Sequence, residues 1–396
     1  MELTENQNRV LEKISRFEFE RPFFLGGYAG TGKTTLLRAL DQAHPGKILF
    51  LAPTGKACQV LKTKLSFGAD IRTVHSFLYC PVEVSDETLQ RWRDEAGEGN
   101  EFAKAKLRSY DNGMTVEFMD SCGGAGDDYE LVVVDEASML GMREYLKLVA
   151  NCPKLVLVGD PFQLPPVQSA SVFPEKFDAF LEEVHRAALE SPITRLSMDI
   201  RSGDFKGWSY WKQNGIEHSV KTTLGVLRSV DQVITGTNAE RRRLNRVMRL
   251  PCKSWEPRIG DKVIVKENVY AAKGRLRLVN GDIGVLDYIF EESGVLSIKG
   301  IPGHEFSEHL RYTDKLIAEG YDDQGRIPYS NVPPERNYKV DYAYAITCHA
   351  SQGSEWPSVL VYDDKMNTSD KETRLRWLYT AVTRAKERLV FVEKYR

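Results

Sequence analysis

The sequence predicts an α/β protein whose strands form two parallel sheets. Three observations carry that expectation. Short unbroken apolar runs recur along the chain, and a strand buried on both faces reads as such a run rather than as an alternation. Helical patterns such as TTLLRAL and REYLKLVA lie between many of them, the order that parallel strands need for their crossovers. The chain has 396 residues, too many for one ordinary core, so the strands divide over more than one.

In order, the strand runs are FFLG (23–26), ILFLA (48–52), LVVVD (131–135), KLVLVG (154–159), QVITG (232–236), SVLVY (358–362) and LVFVE (389–393). Two regions interrupt them. From about Tyr79 to Asp128 the chain turns charged and glycine-rich, far longer than an ordinary αβ connection, and reads as an insertion or a disordered loop. From about Pro251 to Pro334, DKVIVKENV and GDIGVLDYIF stand among Gly and Pro and read as a small β-rich insertion, with Asn280-Gly281-Asp282 as a hairpin turn.

Composition narrows the class. A 42% hydrophobic and 28% charged chain is an ordinary globular protein. With 54 basic and 56 acidic residues the net charge is −2, so a polyanion would need a local groove rather than a basic surface. Six dispersed cysteines (Cys58, Cys80, Cys122, Cys152, Cys252 and Cys348) show no C-x-x-C spacing, which argues against a zinc site or a disulfide framework. No apolar run approaches the ~18 residues of a membrane span, and MELTENQNRV has no signal-peptide character. The expectation is a cytoplasmic protein with no membrane partner.

Two motifs carry chemistry. Gly27-Tyr28-Ala29-Gly30-Thr31-Gly32-Lys33-Thr34 fits G-x-x-x-x-G-K-[ST], follows a strand run and opens a helical pattern that continues through Thr35. In such a loop, backbone N–H groups curl around phosphate oxygens, the lysine reaches the β and γ phosphates, and the hydroxyl ligates Mg²⁺. The second motif is VVVDEAS, where Asp135 and Glu136 leave the end of an apolar strand. One carboxylate there suits a Mg²⁺ ion, and its neighbour suits the attacking water. Alone, an Asp-Glu pair after a strand is usually only solvated; beside the first motif it acquires a role. Together they indicate nucleoside triphosphate hydrolysis without saying what it drives. No N-K-x-D guanine motif is present, and SCGGAG does not match the L-S-G-G-Q of transporter ATPases.

Further pieces follow in a fixed order: LTENQ (3–7), APTGKA (52–57), RTVHSF (72–77), VGDPFQLPPV (158–167), LEEVHR (181–186), ITGTNAERRRLN (234–245), ITCHASQGSEW (346–356) and LYTAVTRAKERLVFV (378–392). With this set the sequence closely resembles superfamily 1B DNA helicases of the RecD-like and Dda-like branch, over nearly the whole chain except the two interruptions.

The resemblance implies two RecA-like parallel-sheet domains, with a hairpin-type insertion in the first and an SH3-like β-rich insertion in the second. The first domain would span 1–190, with a pin or wedge at about 79–128; the second would span 191–250 and 335–396, with its insertion at 251–334. Residue by residue, Gln7 matches the reader of the adenine edge, and Gly27, Gly30, Thr31, Gly32, Lys33, Thr34 and Thr35 the phosphate cradle. Thr34 and Asp135 match the Mg²⁺ site, Glu136 the residue at the attacking water, and Gln163 the γ-phosphate sensor. Arg186 and Arg384 match the two arginines that reach across the cleft, although Ala187 and Ala188 follow Arg186 where the family often has a polar residue. Gln352, Gly353 and Glu355 would face the nucleotide. Thr54, Lys56, Thr73 and His75 on one side, and Thr347, His349 and Ser351 on the other, would contact the DNA backbone. Trp92, Phe102, Tyr110 and Phe118 in the first insertion offer either base-stacking rings or the insertion's own small core.

The function so implied is an ATP-dependent 5′-to-3′ single-stranded DNA translocase and helicase, using ATP and Mg²⁺. Its partners would be single-stranded DNA and forked duplex, with single-strand-binding or replication proteins as further candidates, and a monomer is expected. Two alternatives stay open. One is a translocase that strips proteins without efficient unwinding; the other is an ATP-controlled loader whose hydrolysis is indifferent to single strands.

Overall fold

The computed structural model describes residues 3–44, 46–66, 68–111, 116–120, 128–166, 169–184, 189–219, 222–249, 258–266, 269–270, 276–290, 295–299, 308–311, 340–364 and 370–393. The chain divides into two compact units. The first comprises Met1–Leu78, Cys122–Arg249 and Tyr344–Arg396, and the second Tyr79–Ser121 and Leu250–Ala343.

The first unit holds two parallel sheets. In one, six strands lie in the order Asp70–Thr73, Ile48–Ala52, Leu131–Val134, Leu155–Gly159, Phe23–Gly27 and Ala179–Leu181. Every neighbouring pair is parallel, with Phe23 opposite Val156 and Leu25 opposite Ala179. The four inner strands are buried at every position, which is why they read as continuous apolar runs. Leu25, Leu36, Leu37, Phe50, Leu61, Val133 and Val158 pack into one core between this sheet and its helices. The second sheet orders Ala345–Thr347, Gln232–Thr235, Trp356–Asp363, Ala385–Glu393 and Glu217–Ser219, again all parallel. Val233, Leu244, Met248, Leu360, Val390 and Val392 form its core.

Four described strands of the parallel sheets escaped the apolar-run reading. Asp70–Thr73 and Glu217–Ser219 are polar strands at sheet edges, and the edge strands Ala179–Leu181 and Ala345–Thr347 are only three residues long. A short edge strand is paired on one side only and needs little apolar content.

The second unit is antiparallel. Its five-stranded sheet runs Glu308–Arg311, Val295–Lys299, Ile283–Phe290, Lys262–Val265 and Val340–Tyr342. Val340–Tyr342 joins this sheet, and after Ala343 and Tyr344 the chain continues as Ala345–Thr347, which joins the second parallel sheet. Asp282 accepts the Val279 N–H at 2.8 Å, and Gly281 takes φ +99°, so Asn280-Gly281-Asp282 is a tight turn.

The Tyr79–Asp128 region is ordered where described. Strands Tyr79–Glu83 and Val116–Asp120 pair antiparallel, from Tyr79 opposite Asp120 to Glu83 opposite Val116. Between them lie helices Asp86–Gly97 and Glu101–Asp111, the first capped by Ser85 on Thr88 N–H. The strands pair as the two arms of a hairpin would, but the connection between them carries two helices, which the expected hairpin-type insertion did not include. Trp92 is buried and Phe102 is 68% exposed, and the Lys106 ammonium lies 4.9 Å from both ring centroids. The Tyr110 and Phe118 side chains lie outside what is described.

Candidate nucleotide site and the loops beside it

The site forms where the strands of the first sheet end. The chain leaves strand Phe23–Gly27, turns through Gly30 (φ +77°) and Gly32 (φ +79°), and enters helix Lys33–Ala43. Gly32 is the helix N-cap in the left-handed region, which favours glycine. The Lys33 ammonium donates to the Gly27 carbonyl at 2.7 Å and the Tyr28 carbonyl at 2.9 Å, and Thr31 Oγ1 donates to Tyr28 O at 2.8 Å. The loop thus uses its own carbonyls to hold its lysine, with Thr34 and Thr35 in the first turn of the helix.

Gln7 reaches this loop from helix Glu5–Ser15. Its Oε1 accepts the Thr4 N–H at 3.0 Å, completing a capping box with Thr4 Oγ1, and its Nε2 donates to the Gly32 carbonyl at 3.3 Å. The side chain is buried and ties the N-terminal helix to the cradle.

Asp135 and Glu136 follow strand Leu131–Val134. Asp135 Oδ1 accepts the Glu136 N–H at 2.9 Å. Burial pushes the Asp135 carboxyl pKa up, the nearby Glu136 charge adds to the rise, and Lys33 opposes it. Glu136 takes φ +53°, a left-handed conformation that strains a residue with a Cβ. Its Oε2 is buried with no hydrogen-bond partner among the described residues. Gly159 lets the next strand approach: a Cβ there would sit 3.0 Å from Ser138 N and 3.2 Å from Ala137 N.

The next loop is stitched to the second sheet. Asp160 is fully buried and accepts from Phe162 N–H at 3.0 Å and from the Tyr379 hydroxyl at 2.6 Å. That hydroxyl also accepts the Ala29 N–H at 2.9 Å, so one tyrosine on helix Lys371–Val382 joins the phosphate loop to the 160–164 loop. Leu164 N–H donates to Thr380 Oγ1 at 3.0 Å, Gln352 Nε2 donates to Leu164 O at 3.0 Å, and Arg376 donates to Pro161 O at 2.7 Å. Gln163 lies in this loop, buried, with Oε1 unpartnered among the described residues.

Arg384 is buried just beyond that helix. It donates to Thr380 O at 2.9 Å, Ser354 O at 3.3 Å and Thr383 Oγ1 at 3.1 Å. All are neutral acceptors, and among the described residues no carboxylate pairs with it. Arg186 lies outside the described residues. Glu355 is exposed and pairs with Lys386 at 3.4 Å.

The remaining loops share one construction. Thr54, Thr73 and Thr347 each end a strand or follow one, and each hydroxyl accepts the N–H three residues on, from Ala57, Ser76 and Ala350. Gly353 (φ +71°) brings the 346–356 loop against the 54–57 loop, where a Cβ would lie 3.4 Å from both Thr54 Oγ1 and Ala57 Cβ. The Lys56 ammonium stands 4.9 Å over the Trp356 ring. Ser351 is fully buried, its hydroxyl donating to Cys348 O at 2.7 Å. His349 and Gln352 line a cavity of about 530 Å³ with Met139, Met142, Arg143 and Glu144. Burial lowers the pKa of both His75 and His349, with Glu144 partly opposing it at His75, which favours the neutral imidazole at each.

Sequence reading missed Tyr379, Thr380, Arg376 and Ser354. Tyr379 and Thr380 stand beside the T-R-A-K run that singled out Arg384, but their partners lie more than two hundred positions away.

The residues present suit a Mg²⁺ ion. Among the described residues no cluster of three or more His, Cys, Asp or Glu would cage a metal alone. Thr34 and Asp135 offer oxygen donors, and Mg²⁺ takes one or two protein oxygens with phosphate oxygens and waters. Among those residues, too, no helix is long and apolar enough to cross a membrane.

Fold and site together define a P-loop protein built on two RecA-like parallel sheets. The AAA domain family model matches residues 2–222, and the UvrD-like helicase C-terminal domain matches residues 342–392. The chain belongs to the AAA domain family. It is 26% identical to the ATP-dependent RecD2 DNA helicase of Deinococcus radiodurans, over 98% of this chain and 48% of that one. The chain spans about half or less of the length of the curated relatives it matches most strongly. Its fold resembles a solved structure of two coordinating Pif1 helicases at forked duplex DNA, with TM-score 0.58 and 19% identity over 99% of this chain and 92% of that one. It likewise resembles Bacteroides Pif1 in complex with ADP-AlF3 and single-stranded DNA, with TM-score 0.57 and 18% identity over 99% and 92%.

Proposed function

We propose that the chain is an ATP-dependent single-stranded DNA translocase and helicase moving 5′ to 3′. The observation that carries this reading is the junction between the sheets, where the Tyr379 hydroxyl accepts the Ala29 N–H and donates a hydrogen bond to Asp160. A nucleotide in the phosphate loop would touch groups on the first sheet directly and reach the second through this junction. Hydrolysis then changes how the sheets are held, the requirement for a motor.

On the first sheet, Lys33 leaves the Gly27 and Tyr28 carbonyls for the β and γ phosphates. Gly27, Gly30, Thr31, Gly32, Thr34 and Thr35 form the cradle, and Gln7 supports it through Gly32. Thr34 and Asp135 would hold Mg²⁺, which supplies positive charge against the triphosphate oxygens. Glu136 orients the attacking water, its unpartnered Oε2 being the acceptor, and Gln163, whose Oε1 has no partner among the described residues, is placed at the γ phosphate. The neutral Gln amide donates to a phosphate oxygen through its Nε2–H, reached by rotating the amide. On the second sheet, Arg384 exchanges neutral carbonyls for phosphoryl oxygens in the transition state, joined by Arg186, while Gln352, Gly353 and Glu355 complete that side.

Thr54, Lys56, Thr73 and His75 face the strand from the first sheet, and Thr347 and His349 from the second; Ser351, expected to join them, is fully buried with its hydroxyl on Cys348 O and instead shapes the loop from within. Neutral histidines and capped threonines suit sequence-independent backbone contact. Gln352 links the strand side to Leu164, and so to the γ-phosphate sensor beside it. The expected result is ATP turnover that rises on adding oligo-dT, with unwinding of a duplex bearing a 5′ tail and none of one bearing a 3′ tail. Turnover indifferent to oligo-dT would refute the motor and favour a loader.

A further inference from the structure

The phosphate loop is gripped from the second sheet at a point that none of its motifs names. Helix Pro192–Ser202 packs against helix Lys371–Val382 and strand Ala385–Glu393, and Arg201 stands in its last turn. The Arg201 guanidinium carbon lies 3.5 Å from the centroid of the Tyr28 ring. Phe180 meets the same ring at 4.8 Å and 62°. Among the described residues no carboxylate pairs with Arg201. A basic residue in a last helical turn is ordinarily explained by the helix dipole, but the dipole does not call for a planar cation on an aromatic face.

Tyr28 matters through its carbonyl as well as its ring. That carbonyl accepts from both the Lys33 ammonium and Thr31 Oγ1, and the next residue's N–H is held by Tyr379. Residues 28 and 29 are thus fixed by two neighbouring helices of the second sheet, one through a stack and one through a hydrogen bond.

We propose that the Arg201–Tyr28 stack is a clasp by which the second sheet sets the conformation of the phosphate loop, making Arg201 a positioning residue for nucleotide binding. Holding residue 28 removes conformational freedom that ATP would otherwise have to remove on binding. The inference rests on the ATPase reading above.

The test is steady-state ATP turnover with saturating oligo-dT, on wild type, Arg201→Ala, Arg201→Lys, Tyr28→Leu and the double variant Arg201→Ala/Tyr28→Leu. Absence of turnover in the wild type would sink the ATPase reading itself, separately from the clasp. With an active wild type, Arg201→Ala is expected to raise KM for ATP about three- to tenfold with kcat within about twofold. Arg201→Lys keeps the helix-end charge but lacks the planar face, so its KM stays raised. Tyr28→Leu raises KM similarly, and the double variant rises no further than the larger single effect. An unchanged or lowered KM in Arg201→Ala, full rescue by lysine, or multiplying effects in the double variant would each overturn the clasp. Should Arg201→Ala not fold, Tyr28→Leu and Arg201→Lys decide the question.

Discussion

The phosphate loop and the 346–356 loop have the same plan, a parallel strand ending in a polar turn that opens a helix, yet they are stabilised in opposite ways. The phosphate loop holds its own lysine, which donates to its own carbonyls, and its helix Lys33–Ala43 runs eleven residues; the second sheet adds the Arg201 and Tyr379 contacts at residues 28 and 29. The second loop opens a helix of only four residues, Cys348–Ser351, too short to stand alone. It borrows order from its neighbours, through Gln352 on Leu164 O, Gly353 against Thr54 and Ala57, and Arg384 on Ser354 O. The loop that holds its own lysine and opens a long helix binds; the one that borrows most of its order reports on what it leans against.

Substitutions separate the two. The largest effect belongs to Lys33→Ala, which removes the charge meant for the β and γ phosphates and should take ATP turnover below detection; wild-type turnover would refute the site. Arg384→Ala should keep nucleotide binding, read by a fluorescent nucleotide, while lowering kcat by about 10³ to 10⁵. Weaker binding with unchanged kcat would instead make the arginine a brace for Ser354. Gln352→Ala leaves the buried Leu164 carbonyl unsatisfied, at about 1–3 kcal/mol. It should lower oligo-dT stimulation of turnover about tenfold, and retained stimulation would show that the borrowed loop does not carry the signal.

The smallest expected effect is on stability and concerns Asp135. Its folded pKa lies above its unfolded value, so the protonated carboxyl favours the fold. That contribution is complete below the ordinary carboxylate pKa and is lost as pH rises through the raised one. Asp135→Asn should therefore melt about 2 °C above wild type at pH 8 without divalent cations, while losing turnover. At pH 4 the two should melt together. A lower melting temperature at pH 8 would mean that the ionised carboxylate is stabilised in the fold.

The buried strands were legible because parallel strands covered on both faces are apolar throughout: ILFLA at 48–52 is the strand Ile48–Ala52, residue for residue. The edge strands Asp70–Thr73 and Glu217–Ser219 were not, since a half-covered strand needs no apolar signature. Within the site, Lys33 and Asp135 could be named because local spacing alone puts them on a turn after a strand. The Glu136 φ of +53° could not, because a residue with a Cβ does not favour the left-handed region by its own propensity.

What the sequence by itself determined is the set of local units: which runs become strands, where the phosphate loop turns, and which threonines cap the helices after it. These depend on residues within a few positions of each other. Only the tertiary structure decided how the units are joined. Tyr379 meets Asp160 across 219 positions and Ala29 across 350, and Arg201 finds the ring of Tyr28. A tyrosine or an arginine has the same local propensity wherever it stands, and its partner is fixed only once both sheets have formed and packed.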